Sequence, residues 1–397
     1  MAEKKFRLLD LWPIGVLLLL VGGQITFFTP ELWQTISLVV ALSYGQNIAF
    51  TVTSRARTRN NVLFHLGATL ISTLVSFLTF RNILGPDSDF SLKLLLAYTA
   101  GTISGSLTGS YVSIWIERLT GAVADETVAS KEVAEKNQRI ALRYLATIVA
   151  IGWTAQFTLF RNEQLLNLIL VMSFVFLPDM LYAMRTWIQN RNNDHLTLVS
   201  SLLTGVVDFF RWSYLIKLDM RWGIYVPYST GSITGSIAGS IAARKIAGLI
   251  EKKLGIKTSA DAHVKKGEMK KLDYRPIFGL LVVLVAGVFF FPPKDLTSAI
   301  PFVLGTAAMQ ISFALVSRAR NRNNALYHLF AAICSNGMWF FVLHLVATMA
   351  KGDMRLFIPY AIGAALGGLV GVRIAMKIEQ WTGALADSHV KTSPKTA

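Results

Sequence analysis

A motif that is rich in arginine and ends in two asparagines occurs three times in this chain, and its spacing constrains the whole fold. Full copies end at Asn61 and Asn324, and a degraded copy ends at Asn193. The three asparagines are 132 and 131 residues apart, so three nearly equal periods account for almost all of the 397 residues. The sequence therefore predicts three tandem membrane repeats, with the boundaries 1–133, 134–265 and 266–397.

A second mark follows each asparagine pair: a tyrosine, and then glycines at every fourth position. The first glycine lies 40, 38 and 39 residues after the last asparagine in the three copies. Small residues four apart share one helix face and let another backbone approach closely, so these rows predict a glycine zipper that packs helices tightly. A pore lined by this face is the alternative interpretation. The nine glycines are Gly101, Gly105, Gly109, Gly231, Gly235, Gly239, Gly363, Gly367 and Gly371.

The composition is that of a protein that crosses a membrane many times. Mean hydropathy is +0.48, 53% of the residues are hydrophobic and only 16% are charged. A helix needs about 20 apolar residues to cross the hydrocarbon layer, and each repeat contains four such stretches. The predicted spans lie near 10–29, 33–54, 61–82, 92–117, 140–160, 165–186, 195–216, 223–247, 275–292, 296–317, 325–349 and 355–378.

The number of spans in each repeat determines how the repeats are related. An even number returns the chain to the same side of the membrane, so the repeats are parallel and related by an axis along the membrane normal. Pseudo-threefold symmetry is the simplest packing, although a linear or gapped arrangement also satisfies the pattern. We expect an all-α polytopic membrane protein, with about twelve transmembrane helices in three parallel four-helix repeats.

The distribution of basic residues indicates which side faces the cytoplasm. If the N-terminus is inside, the inside segments hold 30 of the 39 lysines and arginines, which is the asymmetry that orients membrane proteins. We therefore predict a multi-pass protein of the cytoplasmic (inner) membrane with both termini cytoplasmic. The formal net charge of +16 follows largely from this topology, so nucleic acid is not an expected partner. The first apolar stretch is not predicted to be cleaved, because no small-residue cleavage site follows Phe28.

The arginine motif connects the second and third spans and has two interpretations. It can anchor the inner surface while its asparagines cap the third span. Alternatively, arginine forks suit phosphate and carboxylate, so three such loops would form a basic inner mouth, although repeat two has Trp187 and Gln189 in place of two arginines. Two histidines one helical turn beyond the asparagines lie on the same face, either as buried hydrogen-bonding residues or as proton carriers. The residues assigned to the mouth are Arg55, Arg57, Arg59, Arg191, Arg318, Arg320, Arg322, His65 and His328.

A column of polar residues lies inside the second spans, fourteen residues before each last asparagine: Asn47, Asp179 and Gln310. A carboxylate at this depth costs about 2.5–3.5 kcal/mol even on the lenient insertion scale, so Asp179 must be paired, protonated or hydrated. Pro178 precedes it and frees a backbone carbonyl. The column predicts either a substrate or proton site or a structural hydrogen-bond cluster.

Two further charged residues lie in the third span of repeat two. Asp208 and Arg211 are three residues apart on one helix face and can neutralise each other. Arg211 is also the most obvious partner for Asp179 if the two spans pack together. We expect a structural ion pair, and both residues join the polar column on the candidate substrate path, which comprises Asn47, Asp179, Gln310, Asp208 and Arg211.

No arrangement of residues in the sequence points to catalysis. The chain contains no metal-spaced cluster of histidine and glutamate, no nucleophile elbow and no phosphate-binding loop. Its one cysteine, Cys334, lies in a predicted span, so an intrachain disulfide is impossible. We predict that the protein is not an enzyme and has no catalytic residue, metal site or cofactor.

Parts of the repeats resemble a known bacterial family. Arg322-Asn323-Asn324 precedes a span, and a tyrosine, the spaced glycines and a helix-ending glutamate follow at Tyr360 and Glu379. This order resembles the membrane domain of the YebE-like bacterial membrane proteins. Repeat one matches through Tyr98 and Glu117, whereas repeat two departs with Ala247 at the glutamate position. The resemblance implies a membrane unit and names no substrate, and we expect no counterpart here of the cytoplasmic ligand-binding domain of that family.

Two functions fit the sequence. The first is a transporter or channel for a small anionic or zwitterionic solute, because a polar column lies at membrane depth and arginines lie at its inner mouth. The second is a membrane scaffold that does not transport and whose basic inner face binds anionic phospholipid, nucleic acid or a partner protein; such proteins also occur in phages and mobile elements. Lysine and arginine near the membrane each contribute about 1 kcal/mol toward anionic lipid. A polar cavity at Asp179 favours the first function, and a closed centre favours the second.

Overall fold

The described part of the chain consists of helices. The structure is a computed structural model, and it describes residues 33–58, 61–84, 94–120, 128–160, 163–189, 194–254, 282, 296–319, 325–349 and 354–382. These ranges contain no strand. Their long helices are α1 (Trp33–Thr58), α2 (Val62–Leu84), α3 (Leu95–Thr120), α4 (Val128–Leu159), α5 (Leu165–Gln189), α6 (Asp194–Lys217), α7 (Tyr225–Leu254), α8 (Leu296–Ala319), α9 (Ala325–Met349) and α10 (Phe357–Thr382).

Seven of these helices are long and apolar enough to cross a membrane: α1, α2, α4, α5, α8, α9 and α10. The chain is therefore a membrane protein with several helical spans. Helices α3, α6 and α7 are equally long, but glycine, hydroxyl-bearing or charged residues interrupt their apolar sequence. The predicted spans near 10–29 and 275–292 lie outside the described residues.

The first predicted span of repeat two lies at the periphery. Helix α4 contacts only α2 and α7 extensively among the described helices. Ile151 and Leu159 on its surface are 64% and 73% exposed. Apolar side chains with such high exposure suit a lipid environment, because lipid tails are as apolar as the side chains themselves.

Helix α2 begins at a capping asparagine, as the sequence predicted. The side-chain oxygen of Asn61 accepts a hydrogen bond of 3.0 Å from the backbone N–H of Phe64. This bond satisfies one of the backbone donors that a helix start leaves unpaired. The equivalent Asn193 and Asn324 lie outside the described residues.

Three pairs of helices pack with their backbones in close contact: α1 with α3, α5 with α7, and α8 with α10. Each of the nine glycines faces the partner helix, and an added methyl carbon would lie under 3.0 Å from it. A methyl group at Gly105, for example, would overlap the carbonyl oxygen of Tyr44. Close backbone approach of this kind requires small residues, so these glycine faces pack helices together and do not line the cavity described below.

Contacts of a second kind join helices of different pairs: α2 packs against α7, α6 against α10, and α9 against α3. The same aromatic contact occurs in each case. Its phenylalanine lies sixteen residues after a last asparagine, and its tyrosine precedes a glycine row. The ring centroids are 5.4 Å apart for Phe77 and Tyr228, 5.6 Å for Phe209 and Tyr360, and 5.2 Å for Phe340 and Tyr98.

Candidate functional site

A polar cavity of about 140 Å³ lies among helices from all three predicted repeats. At about 30 Å³ for each water molecule in the liquid, this volume holds roughly five waters or a small solute. Its walls combine charged, hydroxyl-bearing, amide and aromatic side chains. The lining residues are Gln46, Asn47, Phe50, Thr53, Thr69, Ser72, Thr73, Ser76, Phe80, Tyr98, Asp179, Tyr182, Asp208, Arg211, Trp212, Tyr228, Ser232, Phe313, Ser335 and Trp339.

The charged centre of the cavity is formed by α5 and α6. Nη1 of Arg211 donates a hydrogen bond of 3.0 Å to Oδ1 of Asp179, and the same nitrogen lies 3.7 Å from Oδ1 of Asp208. The side chains of all three residues are 11–15% exposed. Arg211 therefore lies between two carboxylates, which satisfies the requirement that Asp179 be paired at this depth.

Arg211 has hydrogen-bonding capacity that the described residues do not use. Its guanidinium carbon lies 4.7 Å from the ring centroid of Trp212, in cation–π contact. Its Nε atom is buried and has no hydrogen-bond partner within the described ranges. A guanidinium offers five N–H donors, so the site can still donate to a ligand or to water.

The polar column of the second spans is divided between two environments. Asn47 lines the cavity and donates a 3.3 Å hydrogen bond to the carbonyl of Ser43. Asp179 lines the cavity as well, whereas Gln310 is buried and is not among the lining residues. The structure thus brings together four of the five residues on the candidate substrate path and leaves out Gln310.

An aromatic cluster, here called the inner cluster, lines the side of the cavity toward the arginine motif. It consists of Phe50, Tyr182 and Phe313, each eleven residues before a last asparagine. The ring centroid of Tyr182 lies 6.1 Å from that of Phe50 and 4.6 Å from that of Phe313. Equivalent positions of three helices therefore meet at one place in the fold.

A second aromatic cluster, the outer cluster, consists of Phe80, Trp212 and Trp339 on α2, α6 and α9. On each of these helices, the member of the outer cluster is the cavity-lining residue farthest from the arginine motif. The three ring centroids are 4.7, 5.2 and 5.6 Å apart, so each ring contacts the other two. The charged centre lies along the helices between the two clusters.

The structure corrects the role expected of Arg55 and Arg318. Arg55 is 3% exposed and binds both carboxylate oxygens of Glu117, at 2.8 and 3.0 Å. Arg318 is 2% exposed and binds Glu379 in the same way, at 2.8 and 2.7 Å. These bidentate pairs neutralise both guanidinium groups. Neither arginine therefore lines an open basic mouth.

The side chains of the other five arginines of the expected mouth lie outside the described part of the structure. Arg57 belongs to the last turn of α1, and only its backbone is described. Four others lie outside the described residues: Arg59, Arg191, Arg320 and Arg322. The inner basic mouth stays a prediction for these five positions.

The two histidines are buried between helices and do not face an open mouth. Nε2 of His65 lies 3.1 Å from Oγ of Ser236. His328 contacts Ser106 at 2.9 Å through Nε2 and Ser110 at 2.6 Å through Nδ1. Both histidines are 2–3% exposed, so the structure places them as buried hydrogen-bonding residues at the α2/α7 and α9/α3 contacts.

The third contact of this type, between α6 and α10, uses different residues. Thr197 occupies the histidine position, and Gly368 occupies the serine position. A side chain at residue 368 would overlap that of Ser201, and its Cβ would lie 3.6 Å from Nη2 of Arg185. Ser201 and Arg185 thus take the space that a histidine and a serine fill elsewhere.

The packing around Gly368 leaves no space for the serine that occupies this position at the other two contacts. We expect Gly368→Ser to lower the free energy of unfolding by about 1–3 kcal/mol, because the side chain overpacks the interface. Ser201→Gly in the same chain should recover part of the loss. Thermal unfolding of the purified variants in detergent measures both effects, and a Gly368→Ser protein as stable as the native chain would contradict this packing.

Sequence reasoning missed the two aromatic clusters and the Arg–Glu pairs, although the repeats contain a signal for each. The inner cluster occupies the same position in all three motifs. The ion pairs are absent as a unit from repeat two, where Trp187 and Ala247 replace the arginine and the glutamate. Two positions that change together in one repeat are expected to be in contact.

The lining of the cavity combines charged groups, hydroxyl groups and aromatic rings. Among the described residues, no group of three histidine, cysteine, aspartate or glutamate side chains is arranged to hold a metal ion. The carboxylates at the charged centre are engaged by a guanidinium, and hydroxyl groups and aromatic rings form the rest of the wall. Such a wall can bind a small charged solute and can shield it from lipid.

Comparisons with known proteins add no family. The resemblance of the repeats to the YebE-like membrane domain therefore stays a prediction from the spacing of the tyrosine, glycine and glutamate residues. Neither the protein-family models, nor the curated proteins, nor the solved structures contain a match to this chain.

Proposed function

We propose that this chain is a transporter or channel for a small solute, which crosses the membrane through the cavity between α1, α5, α6 and their neighbours. The observation that carries the proposal is the position of Asp179, Asp208 and Arg211 in that cavity. Asp179 lies in α5, which is apolar enough to cross a membrane, and the other two residues lie in the neighbouring α6. Ionisable residues inside membrane helices are costly and characteristically face substrate or ion pathways. The hydroxyl-bearing wall supports a hydrated path through the protein.

We propose further that about twelve spans form three parallel four-helix units around this cavity, with pseudo-threefold symmetry. Three glycine-faced helix pairs and three equivalent Tyr–Phe contacts support this arrangement. The contacts join the units in a closed order, because α2 packs on α7, α6 on α10, and α9 on α3. The four-span count of repeats one and three includes spans outside the described residues.

The proposed location is the cytoplasmic membrane, with both termini on the cytoplasmic side. The positive-inside distribution of lysine and arginine supports this orientation. In that orientation the inner aromatic cluster and the arginine motifs face the cytoplasm, and the outer cluster faces the opposite side.

The alternative function, a scaffold with a basic inner face, has weaker support in the described residues. It depends on arginines that are available to lipid or to a partner, and Arg55 and Arg318 are instead buried and neutralised by Glu117 and Glu379. The same pairing removes part of the reason to expect an anionic solute, because that expectation rested on free arginines at the inner mouth.

Flux into proteoliposomes tests the proposal. We expect vesicles that contain the purified full chain to take up at least one solute among choline, lactate and glycine faster than protein-free vesicles. Ser72→Trp, which places a bulky ring in the cavity, should abolish this flux. Ile71→Trp on the same helix should not, because Ile71 is 61% exposed and faces away from the cavity. The proposal is wrong if none of the three solutes enters faster than in protein-free vesicles.

A further inference from the structure

The buried charges at the cavity balance. Among the described residues, Asp179 and Asp208 supply two carboxylates to the lining and Arg211 supplies one guanidinium. A second guanidinium belongs to Arg185, which is fully buried and interacts electrostatically with Asp208. Its guanidinium carbon lies 5.4 Å from the ring centroid of Phe313, which lines the cavity, so this positive charge lies beside the solute site.

This balance decides which net charge a solute can carry. A cation or an anion in the cavity would add a charge that the two carboxylates and two guanidinium groups do not compensate, and such a charge at membrane depth is costly. A solute without net charge preserves the balance. The cavity therefore disfavours cations and anions alike, and uncharged solutes and zwitterions are the two classes that fit.

The hydrogen-bonding capacity of the charged lining separates these two classes. Nη1 of Arg211 donates a bond of 3.0 Å to Asp179, but a guanidinium offers five N–H donors. Asp208 lies 3.7 Å from the same nitrogen, beyond hydrogen-bond distance, so its carboxylate keeps acceptor capacity. Arg211 and Asp208 are three residues apart on α6, and their side chains are 11% and 13% exposed. The cavity thus presents a charged donor and a charged acceptor side by side.

A zwitterion can use both groups at once. Its carboxylate can accept hydrogen bonds from the guanidinium of Arg211, and its ammonium group can donate to the carboxylate of Asp208. Each bond then joins two charged partners, and their Coulomb attraction is stronger in a protein interior than in water. A hydroxyl group of an uncharged solute would supply only a neutral partner to each bond. The lining therefore favours the zwitterion over the uncharged solute.

The rest of the wall suits a solute of this kind. Seven serine and threonine side chains and eight aromatic side chains line the cavity. Hydroxyl groups can replace part of the water that the charged ends of a solute lose on entry, and the faces of aromatic rings attract an ammonium group. A volume that holds roughly five waters limits the solute to a few non-hydrogen atoms.

We infer that the cavity binds a small zwitterion of the amino-acid type, with its carboxylate at Arg211 and its ammonium group at Asp208. The inference rests on the proposed function in taking this cavity as the solute site. Of the anionic and zwitterionic solutes that the sequence predicted, it keeps the zwitterion and excludes the anion.

Four probes with two carbon atoms each separate charge from size. Glycine is the zwitterion. Glycolate, with a hydroxyl group in place of the ammonium, is an anion; ethanolamine, with a hydroxymethyl group in place of the carboxylate, is a cation at neutral pH; ethylene glycol is uncharged. Each is titrated into the purified full chain in detergent, and tryptophan emission reports binding because Trp212 and Trp339 line the cavity. We expect glycine to bind saturably and about tenfold or more tighter than the other three probes.

One variant tests the charge balance itself. Asp208→Asn leaves two guanidinium groups against one carboxylate. We expect glycine binding to weaken by about tenfold or more, and glycolate to bind more tightly than it binds the native chain, because an anion then restores the balance. Asp219→Asn is the matched control: Asp219 is exposed and has a left-handed φ of 52° that asparagine also tolerates, so this variant should bind all four probes as the native chain does.

The inference is overturned if glycolate, ethanolamine or ethylene glycol binds the native chain as tightly as glycine, or if no probe binds saturably. It is also overturned if an Asp208→Asn protein that is folded by thermal unfolding binds glycine and glycolate as the native chain does. If this variant does not fold, the ranking of the four probes on the native chain is the test.

Flux distinguishes failure of the inference from failure of the proposed function. Uptake of choline or lactate, but not of glycine, into proteoliposomes would leave transport standing and overturn the zwitterion. Saturable glycine binding without flux of any of these three solutes would overturn transport and leave the binding site standing.

Discussion

Replacement of Glu379 by alanine is expected to lower the free energy of unfolding by about 3–5 kcal/mol, which is the usual cost of leaving one charge of a buried pair without its partner. Arg318 is 2% exposed, and Glu379 binds its guanidinium through both carboxylate oxygens. Alanine would leave that positive charge buried between α8 and α10. Chemical denaturation of the purified chain in detergent measures the loss, and Glu117→Ala should behave alike because Arg55 is buried in the same way.

Repeat two supplies the matched control for this prediction. It has Trp187 and Ala247 where the other repeats have the arginine and the glutamate. We therefore expect the double variant Arg318→Trp, Glu379→Ala to be more stable than Glu379→Ala alone, because it removes the buried charge together with its partner. Replacing both members of a buried ion pair is often nearly neutral. A double variant that loses the sum of the two single losses would show that the residues are not coupled.

The second large effect is expected at the glycine faces. A methyl group at Gly235 would overlap the carbonyl oxygen of Phe176, and backbone atoms cannot move aside as a flexible side chain can. We expect Gly235→Ala to lower the free energy of unfolding by about 1–3 kcal/mol or more, because α5 and α7 must separate to admit the methyl group. The midpoint of thermal unfolding in detergent measures the change.

Gly67 is the control for this substitution. It lies in α2, is exposed, and would have no atom within 4 Å of an added methyl carbon. Alanine is the better helix former, so Gly67→Ala should stabilise the protein by about 0.5–1 kcal/mol. The two substitutions are chemically identical and are expected to differ in sign. Equal effects at Gly235 and Gly67 would contradict the close contact between α5 and α7.

Periodicity within the sequence predicted the local structure and part of the site. The apolar stretches became helices where the structure describes them, and the glycine rows pack helices together. The ion pair between Asp179 and Arg211 could be predicted from the sequence, because a buried carboxylate needs a partner and one arginine of the neighbouring span lies at matching depth. Predictions of this kind depend on spacing along one helix or between neighbouring helices.

Contacts between distant segments were harder to predict. The sequence order does not say that α9 packs on α3, so it could not show that His328 lies against Ser106. Nor could it separate Asn47, which lines the cavity, from Gln310, which is buried elsewhere. Both residues hold the same position in their repeats, and only the packing of the neighbouring helices makes their surroundings different.

The role of the arginine motif was predicted from its charge, and the burial of two of its arginines contradicts that role for them. Arg55 and Arg318 were expected at an open mouth because arginine is basic and lies near the inner surface. The glutamates that neutralise them are more than sixty residues away in sequence. Their loss together in repeat two was visible in the sequence, and it is the signal that would have predicted the pairs.

The central claim is that water and solute reach the cavity between the helices, and cysteine labelling tests it most directly. In a Cys334→Ser background, which removes the only native cysteine, single cysteines replace Ser72, which lines the cavity, and Ile71, which is 61% exposed on the other side of α2. A charged, membrane-impermeant thiol reagent attacks only a thiolate in contact with water. We predict rapid labelling of Ser72→Cys and little labelling of Ile71→Cys in intact membranes. Labelling of Ile71→Cys alone, or equal labelling of both, would contradict a hydrated path through the centre of the protein.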